Sequence, residues 1–266
     1  MGAIRDFELD GWQAAASSYE GFAGATRLFI PSLLQAAKMR PGIRLLDVAC
    51  GTGLAAGAAA AAGARVTGAD FSPAMVVMAR SLYPAVEFQA ADAEDLPFPD
   101  ASFDAVIANF GIHHVERPER AIAQARRVLA PGGTFAFTFW TDPRDNTPWR
   151  IIFDAIMACG RIDVPMPAGN DAHATPENFT RLVAAAGFDA ATLRCDPVVE
   201  DWRLPAEADL VSIFETGTVR MATLLRGQGA ALDTIRARVA DDTQRYRRDR
   251  AIVLPTSAWL LAAAAG

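Results

Sequence analysis

Apolar and polar positions along this chain follow two rhythms. Short apolar runs, "IRLLDVA" (43–49), "RVTGAD" (65–70), "VEFQAAD" (86–92), "FDAVIANF" (103–110) and "TFAFTFW" (134–140), have the length and composition of strands. Between them lie helical patterns at 54–62, 73–82 and 118–129. Ser72 is placed to cap the second helix with Pro73 at its first position, and "LAPGG" at 129–133 stops the third. Strand, helix and strand in succession predict parallel strands joined by right-handed crossovers, an α/β doubly wound sheet.

Beyond position 140 the rhythm loosens. "TDPRDNTP" reads as a loop, "WRIIFDAIMACG" (149–160) as an amphipathic helix and 161–176 as an irregular segment ending at a cap, Thr175, before a helix over 176–186. A strand is predicted near 191–195 and another at 198–204. A charged helical stretch over 205–250 then precedes a last apolar run, "SAWLLAAAA". With no internal repeat and no low-complexity linker, 1–266 is expected to form one domain: 1–39 a helical cover, 40–140 a core and 141–266 the remaining elements.

Bulk properties narrow the function classes. The 266 residues can bury a sizeable core without disulfides. A net charge of −6 and a pI near 5.1 argue against a nucleic-acid partner. Cys50, Cys159 and Cys195 are too few and too scattered for a disulfide framework or a cysteine zinc site, so a reducing cytoplasmic setting is expected. Arg5, Asp6, Glu8 and Asp10 interrupt any leader-like apolar core, and the alanine-rich run at 54–64 is too short to span a bilayer. Oligomeric state leaves no trace in the sequence.

The chemistry gathers around "LLDVACGTGLAAG" (45–57). Gly51, Gly53 and Ala56 satisfy G-x-G-x-x-G/A, and Asp70 follows Gly53 by seventeen positions, as in a dinucleotide-binding turn. Asp47, however, stands where a pyrophosphate would approach. Two like charges about 4 Å apart repel by roughly 4 kcal/mol at an effective dielectric of about 20. A cofactor carrying positive charge, S-adenosylmethionine, suits that acid better. Asp70 can accept both ribose hydroxyls, while Asp92 accepts the adenine amino group and the Ala93 amide meets a ring nitrogen. Hydride-transfer enzymes of the short-chain type need Tyr-x-x-x-Lys, and four residues beyond Tyr19, Tyr83 and Tyr246 stand Ala23, Glu87 and Arg250. A nicotinamide-dependent oxidoreductase and a non-catalytic S-adenosylmethionine-binding protein remain the alternatives.

"LLDVACGTG", "GADFSPAMVVMAR", "AADAEDLPFPDASFDAVIANFGIHHV" and "RRVLAPGGTFAFTFW" together resemble the successive motifs of class I S-adenosylmethionine-dependent methyltransferases, in particular the quinone-biosynthesis C-methyltransferase-like branch. The resemblance covers residues 40–140. It implies a mostly parallel seven-stranded sheet whose last strand, near 257–264, is antiparallel. It also implies that the donor's methionine end lies over 49–53, its ribose on Asp70, and its adenine between Phe71 or Met75 and the Asp92–Ala93 pair. The Asn109 backbone would meet the methionine ammonium, and Trp12 and Tyr19 would close over the donor with the tyrosine near its carboxylate. Ala49 replaces the first glycine of the family's turn, which a methyl tolerates where φ is negative.

The expected reaction is in-line transfer of a methyl group to oxygen, nitrogen or carbon of a small-molecule acceptor, leaving S-adenosylhomocysteine, with no metal. His113 and His114 follow the fourth strand, and a histidine titrating near neutrality could take the acceptor's proton. Adjacent side chains rarely point the same way, so at most one of the two is expected to face the acceptor. Joining them with His173 as a metal triad lacks a diagnostic spacing. The acceptor pocket is expected between 12–30, 110–114 and 140–175, with Phe110 and Trp140 against the acceptor and Trp149 beside them. A lipid quinone and a soluble metabolite both suit it. Cys50 has no activating neighbour and is given no role.

Overall fold

A computed structural model describes residues 2–169 and 173–266. The predicted strands form β1 (Arg44–Val48), β2 (Arg65–Asp70), β3 (Glu87–Ala90), β4 (Phe103–Asn109) and β5 (Leu129–Trp140). They are crossed by α4 (Leu54–Ala61), α5 (Pro73–Leu82) and α6 (Pro118–Val128). Three helices precede them: α1 (Ala3–Ala15), α2 (Glu20–Arg27) and α3 (Ile30–Ala36). Ser72 caps α5 by accepting from the Met75 amide, as its position predicted.

After β5 come α7 (Thr147–Cys159), α8 (Pro176–Ala185), β6 (Arg194–Pro205), α9 (Leu210–Gly217), α10 (Arg220–Arg226), α11 (Leu232–Thr243), β7 (Arg247–Arg248) and β8 (Ala251–Ala264). Sheet order is β3-β2-β1-β4-β5-β8-β6. The first five strands are parallel, and β8 runs antiparallel to both β5 and β6. The two-residue β7 adds to the seven strands implied by the resemblance.

Several boundaries differ from the sequence reading: β5, expected over 134–140, already begins at Leu129 and takes in the 129–133 segment. The strands expected at 191–195 and 198–204 are one continuous β6, whose Pro197 is tolerated because β6 is an edge strand needing no amide on its outer side. The stretch 205–250 divides into α9, α10 and α11 instead of one charged helical run, broken at Gly217 and again between Gly227 and Gly229. Finally, β8 begins at Ala251, because its pairing with β6 extends through twelve registered positions to Pro205.

Alternation along the central strands feeds two cores. Leu46, Val48, Val106, Ala108, Phe135, Phe137 and Phe139 face α6 and α8, while Leu45, Ala105, Ile107 and Ala136 face α3 and α4. Each buried phenylalanine contributes roughly 2–3 kcal/mol. A third cluster joins α2, α7 and α9–α11 over the far ends of β6 and β8. The sheet's carboxyl end is thereby roofed on both sides.

Candidate active site

One cavity lies at the carboxyl ends of β1, β2 and β4, beneath α1 and the start of α2. Asp47, near the end of β1, is 1% exposed, and neither of its carboxylate oxygens has a hydrogen-bond partner. Burial pushes its carboxyl up to about 8; the Ala56 amide, near it but short of a hydrogen bond, opposes the rise and Asp70 adds to it. The Thr52 hydroxyl, on the same cavity, is also buried without a partner. Asp70 ends β2 and accepts from the Gly51 amide at 2.8 Å and the Ser72 amide at 2.9 Å, one on each oxygen. Its carboxylate is thus held in orientation while both oxygens keep a lone pair to offer. Burial pushes its carboxyl up to about 6 against those two bonds. An unpartnered buried carboxylate costs several kcal/mol, roughly, unless a cation meets it.

Ala49, Gly51, Phe71, Met75, Asp92, Ala93 and Asn109 line the same space. The Asn109 side chain donates to the Thr26 carbonyl at 3.1 Å and accepts from the Thr138 hydroxyl at 2.9 Å, so its own amide is engaged away from a ligand. Tyr19 lines the cavity with its hydroxyl 3.4 Å from that of Thr26, and burial pushes its phenol up to about 12. It stays a neutral donor.

A second cavity of about 1180 Å³ opens beside the first. Its apolar wall includes Phe22, Trp140, Trp149, Phe153, Met221 and Trp259, and Asp142, Asp145 and Glu177 also line it. Phe110 and Trp140 stack 3.7 Å apart at 20°, with Phe110 on the first cavity and Trp140 on the second, so the pair forms a partition. Trp12 and His114 line both spaces. A group bound in one cavity can reach the other past these two side chains.

Comparisons with known proteins identify the family. A methyltransferase-domain family profile matches residues 46–137. The demethylmenaquinone methyltransferase of Thermus thermophilus is 36% identical over 162 residues, covering 54% of this chain and 74% of that protein. That of Renibacterium salmoninarum is 38% identical over 130 residues, or 49% of this chain and 54% of that protein. The chain spans about half the length of such curated relatives, or less. An S-adenosylmethionine-dependent methyltransferase of Thermotoga maritima shares the fold at 19% identity, with a TM-score of 0.58, 97% of this chain and 99% of that one covered. This chain belongs to the class I S-adenosylmethionine-dependent methyltransferase family.

Within that family's frame, several expected roles change. Ala49 takes φ 53 instead of a negative value, so its methyl is accommodated at a left-handed position that disfavours any side chain. Gly53 does not line the cavity. It begins α4 at φ 84, and a Cβ there would lie 2.7 Å from the Phe88 ring, so its smallness serves helix–strand packing. Phe110 lines the first cavity, whereas Trp140, expected beside it, lines the second. Asp92 meets Arg5 at 2.9 Å through one oxygen, and its other oxygen accepts from the Glu94 amide. His113 does not titrate near neutrality: burial, with His114 and Arg220 adding, pushes its imidazole well below the ordinary 6.5. It lines only the second cavity, and its Nδ1 has no partner.

Residues missed in the sequence come from distant segments. Thr52 lies inside the motif but carries no distinctive signal. Arg5 and Glu8 sit among several charges of α1, and nothing in their spacing marks which ones turn inward. Pro197, Val199, Pro255, Ser257 and Arg220 reach the second cavity only through the β6–β8 pairing and the packing of α10. Among the described residues no group of three His, Cys, Asp or Glu side chains is placed to hold a metal, and no helix is long and apolar enough to cross a membrane.

Proposed function

We propose that the chain binds S-adenosylmethionine in the first cavity and transfers its methyl group to an oxygen, nitrogen or carbon of a small, largely apolar acceptor held in the second, releasing S-adenosylhomocysteine. The carrying observation is Asp47, a buried carboxylate with two unpartnered oxygens at the mouth of a glycine turn, in a cavity that meets a second one at Trp12 and His114. The residues fit the cofactor. Asp47 supplies the anion for its ammonium or sulfonium charge, Asp70 the oriented acceptors for its ribose diol, and Phe71 and Met75 an apolar slot for its adenine. When bound, this cofactor supplies a methyl group already activated on sulfur.

The protein's part is then to hold, orient and dry the reactants. The Phe110–Trp140 partition keeps donor and acceptor in separate slots, and the aromatic wall excludes water from the acceptor. His114, at the junction, takes the acceptor's proton, while His113 remains a neutral wall residue. Asp47, protonated at pH 7 in the free protein, can lose its proton to meet a cation but offers a pyrophosphate no favourable charge, and a mere sensor of the donor has no use for the second cavity. Residues 1–266 work as one unit, with 1–39 contributing to both cavities and 141–266 to the second.

The relatives named above direct the first choice of acceptor to demethylmenaquinone in its reduced form, since an electron-rich hydroquinone ring is nucleophilic where the quinone is not. Calorimetric titration with S-adenosylmethionine, S-adenosylhomocysteine and NAD, followed by labelled-methyl transfer to reduced demethylmenaquinone and to soluble phenols, tests the proposal. Binding of the two adenosyl ligands with labelled product supports it. Binding of NAD alone overturns it.

A further inference from the structure

The N-terminal helix carries a buried acid that the donor site does not use. Glu8, on α1, is completely inaccessible to solvent. Its Oε2 accepts from the Trp12 indole at 3.0 Å and lies 3.4 Å from His114 Nδ1, while its Oε1 lies 2.8 Å from Arg220 Nε. The His114 ring is held from a second direction by the Trp12 ring, edge-on with centroids 5.1 Å apart. Three regions of the chain meet here: α1, the loop after β4 and α10. Two of the three lie outside the motif-bearing core.

A buried carboxylate is tolerated only when its partners stabilise the ion. Burial pushes the Glu8 carboxyl up, but His114, Arg220 and Trp12 together hold it below its ordinary value. Glu8 is therefore a fixed negative charge against the one described residue, apart from Trp12, that lines both cavities. Charged and titratable groups around His114 include Glu8 from α1 at 3.4 Å, His113 beside it and, on the other oxygen of Glu8, Arg220 from α10. By Coulomb's law the Glu8 carboxylate favours a charge on His114, and the Arg220 cation opposes one.

We infer that Glu8 is a positioning residue that fixes the tautomer of His114, with the proton on Nδ1, and sets the basicity of the imidazole that serves the acceptor. A carboxylate against one ring nitrogen orients the ring and stabilises the imidazolium formed when it takes a proton. In that step the acceptor's O–H or C–H bond breaks, its electron pair stays on the acceptor and the proton goes to the imidazole, which later returns it to water. Glu8 touches neither reactant. This inference builds on the methyltransferase function above, yet the property it assigns can be measured without any acceptor.

The test is a pH titration of the histidine ring resonances in ¹⁵N-histidine-labelled full-length protein, with His114 assigned through His114→Gln. In wild type, His114 is expected as the Nδ1–H tautomer. Glu8→Gln, which keeps the side-chain shape and an acceptor for Trp12, is expected to lower the His114 pKa by about one pH unit or more. Arg220→Met, which removes the competing cation, is expected to raise it, and Glu8→Asp to restore much of the wild-type value. An unchanged His114 titration in both Glu8→Gln and Arg220→Met, with dispersed spectra showing folded protein, overturns the inference, as does an Nε2–H tautomer in wild type. With an active acceptor, the acid limb of kcat follows the same shifts, downward in pH for Glu8→Gln and upward for Arg220→Met. A purely structural Glu8 would lower the melting temperature and leave that limb in place. Failure of wild type to bind S-adenosylhomocysteine would instead count against the methyltransferase function, and it would leave the titration result standing.

Discussion

The cavities proposed for donor and acceptor adjoin, yet they are built by opposite means. Most of the donor cavity comes from one contiguous stretch, where three strand ends and a left-handed turn bring Asp47, Gly51, Asp70 and Asn109 together. The acceptor cavity collects side chains from α1, α2, the loop after β4, α7, β6, α10 and β8. A cavity made by strand ends inherits its geometry from sheet register, so few residue types can occupy its key positions. One made by packing needs only apolar bulk of about the right volume, which many sequences supply. The difference explains how a chain can keep its donor and vary its acceptor.

The largest expected effect tests the donor side directly. Asp70→Ala is expected to weaken S-adenosylhomocysteine binding by about 100-fold or more, since two hydrogen bonds to a carboxylate are lost, each worth roughly 1.5–3 kcal/mol. Calorimetry measures this, and wild-type affinity in the variant would dissolve the contrast between the cavities. Next, Gly53→Ala should destabilise the fold by roughly 2–4 kcal/mol, from a left-handed φ and a methyl forced against Phe88. Thermal unfolding reports it. Little change would mean that the start of α4 is freer than its packing implies.

On the acceptor side, Trp149→Ala should raise the acceptor KM about tenfold, by loss of stacking and apolar contact, and leave the donor's Kd unaltered. Equal damage to both constants would show that the two cavities are not separable. A subtler effect concerns Asp47. With its carboxyl at about 8, the free protein carries a proton there at pH 7, and a bound cation would expel it. Donor binding should therefore release up to about one proton at pH 7, and affinity should rise with pH and level off above 8. Titrations in two buffers of different ionisation enthalpy give the number, and Asp47→Asn should abolish the release.

The same linkage has a sign for stability. Between 3.8 and about 8 the folded ligand-free protein binds more protons at Asp47 than the unfolded chain does, so this group's contribution falls as pH rises through that window. Asp47→Asn should remove the slope, at most about 1.4 kcal/mol per pH unit. The smallest effect is expected from Ala49→Gly. Relief of a left-handed alanine, about 1–2 kcal/mol, is partly offset by the greater entropy of an unfolded glycine, about 0.4–1 kcal/mol. A net gain near 0.5 kcal/mol, read as a slightly higher melting temperature, would confirm that the alanine is strained.

Much of the fold, and many of the residues that line the first cavity, were legible in the sequence. The apolar runs through "TFAFTFW", the cap at Ser72 and the acids near strand ends are local signals, set by periods of two and 3.6 residues and by the backbone needs of a glycine turn. The conformation of Ala49 was misread, because a residue's type states only which φ is comfortable, and the surrounding strands decide which φ is imposed. The broken stretch at 205–250 failed for a related reason: charged helical composition does not say where packing will interrupt it.

Sequence alone therefore determined the sheet, the turn and the chemical character of the donor site, since each depends on neighbours a few residues apart or on strands in succession. Only the tertiary structure decided that Arg5 reaches Asp92, that Glu8 is the inward acid of α1, and that His114 stands at the junction while His113 is shut away from charge. These facts turn on which side chains lose water together, and burial is a property of packed surfaces that no single segment carries.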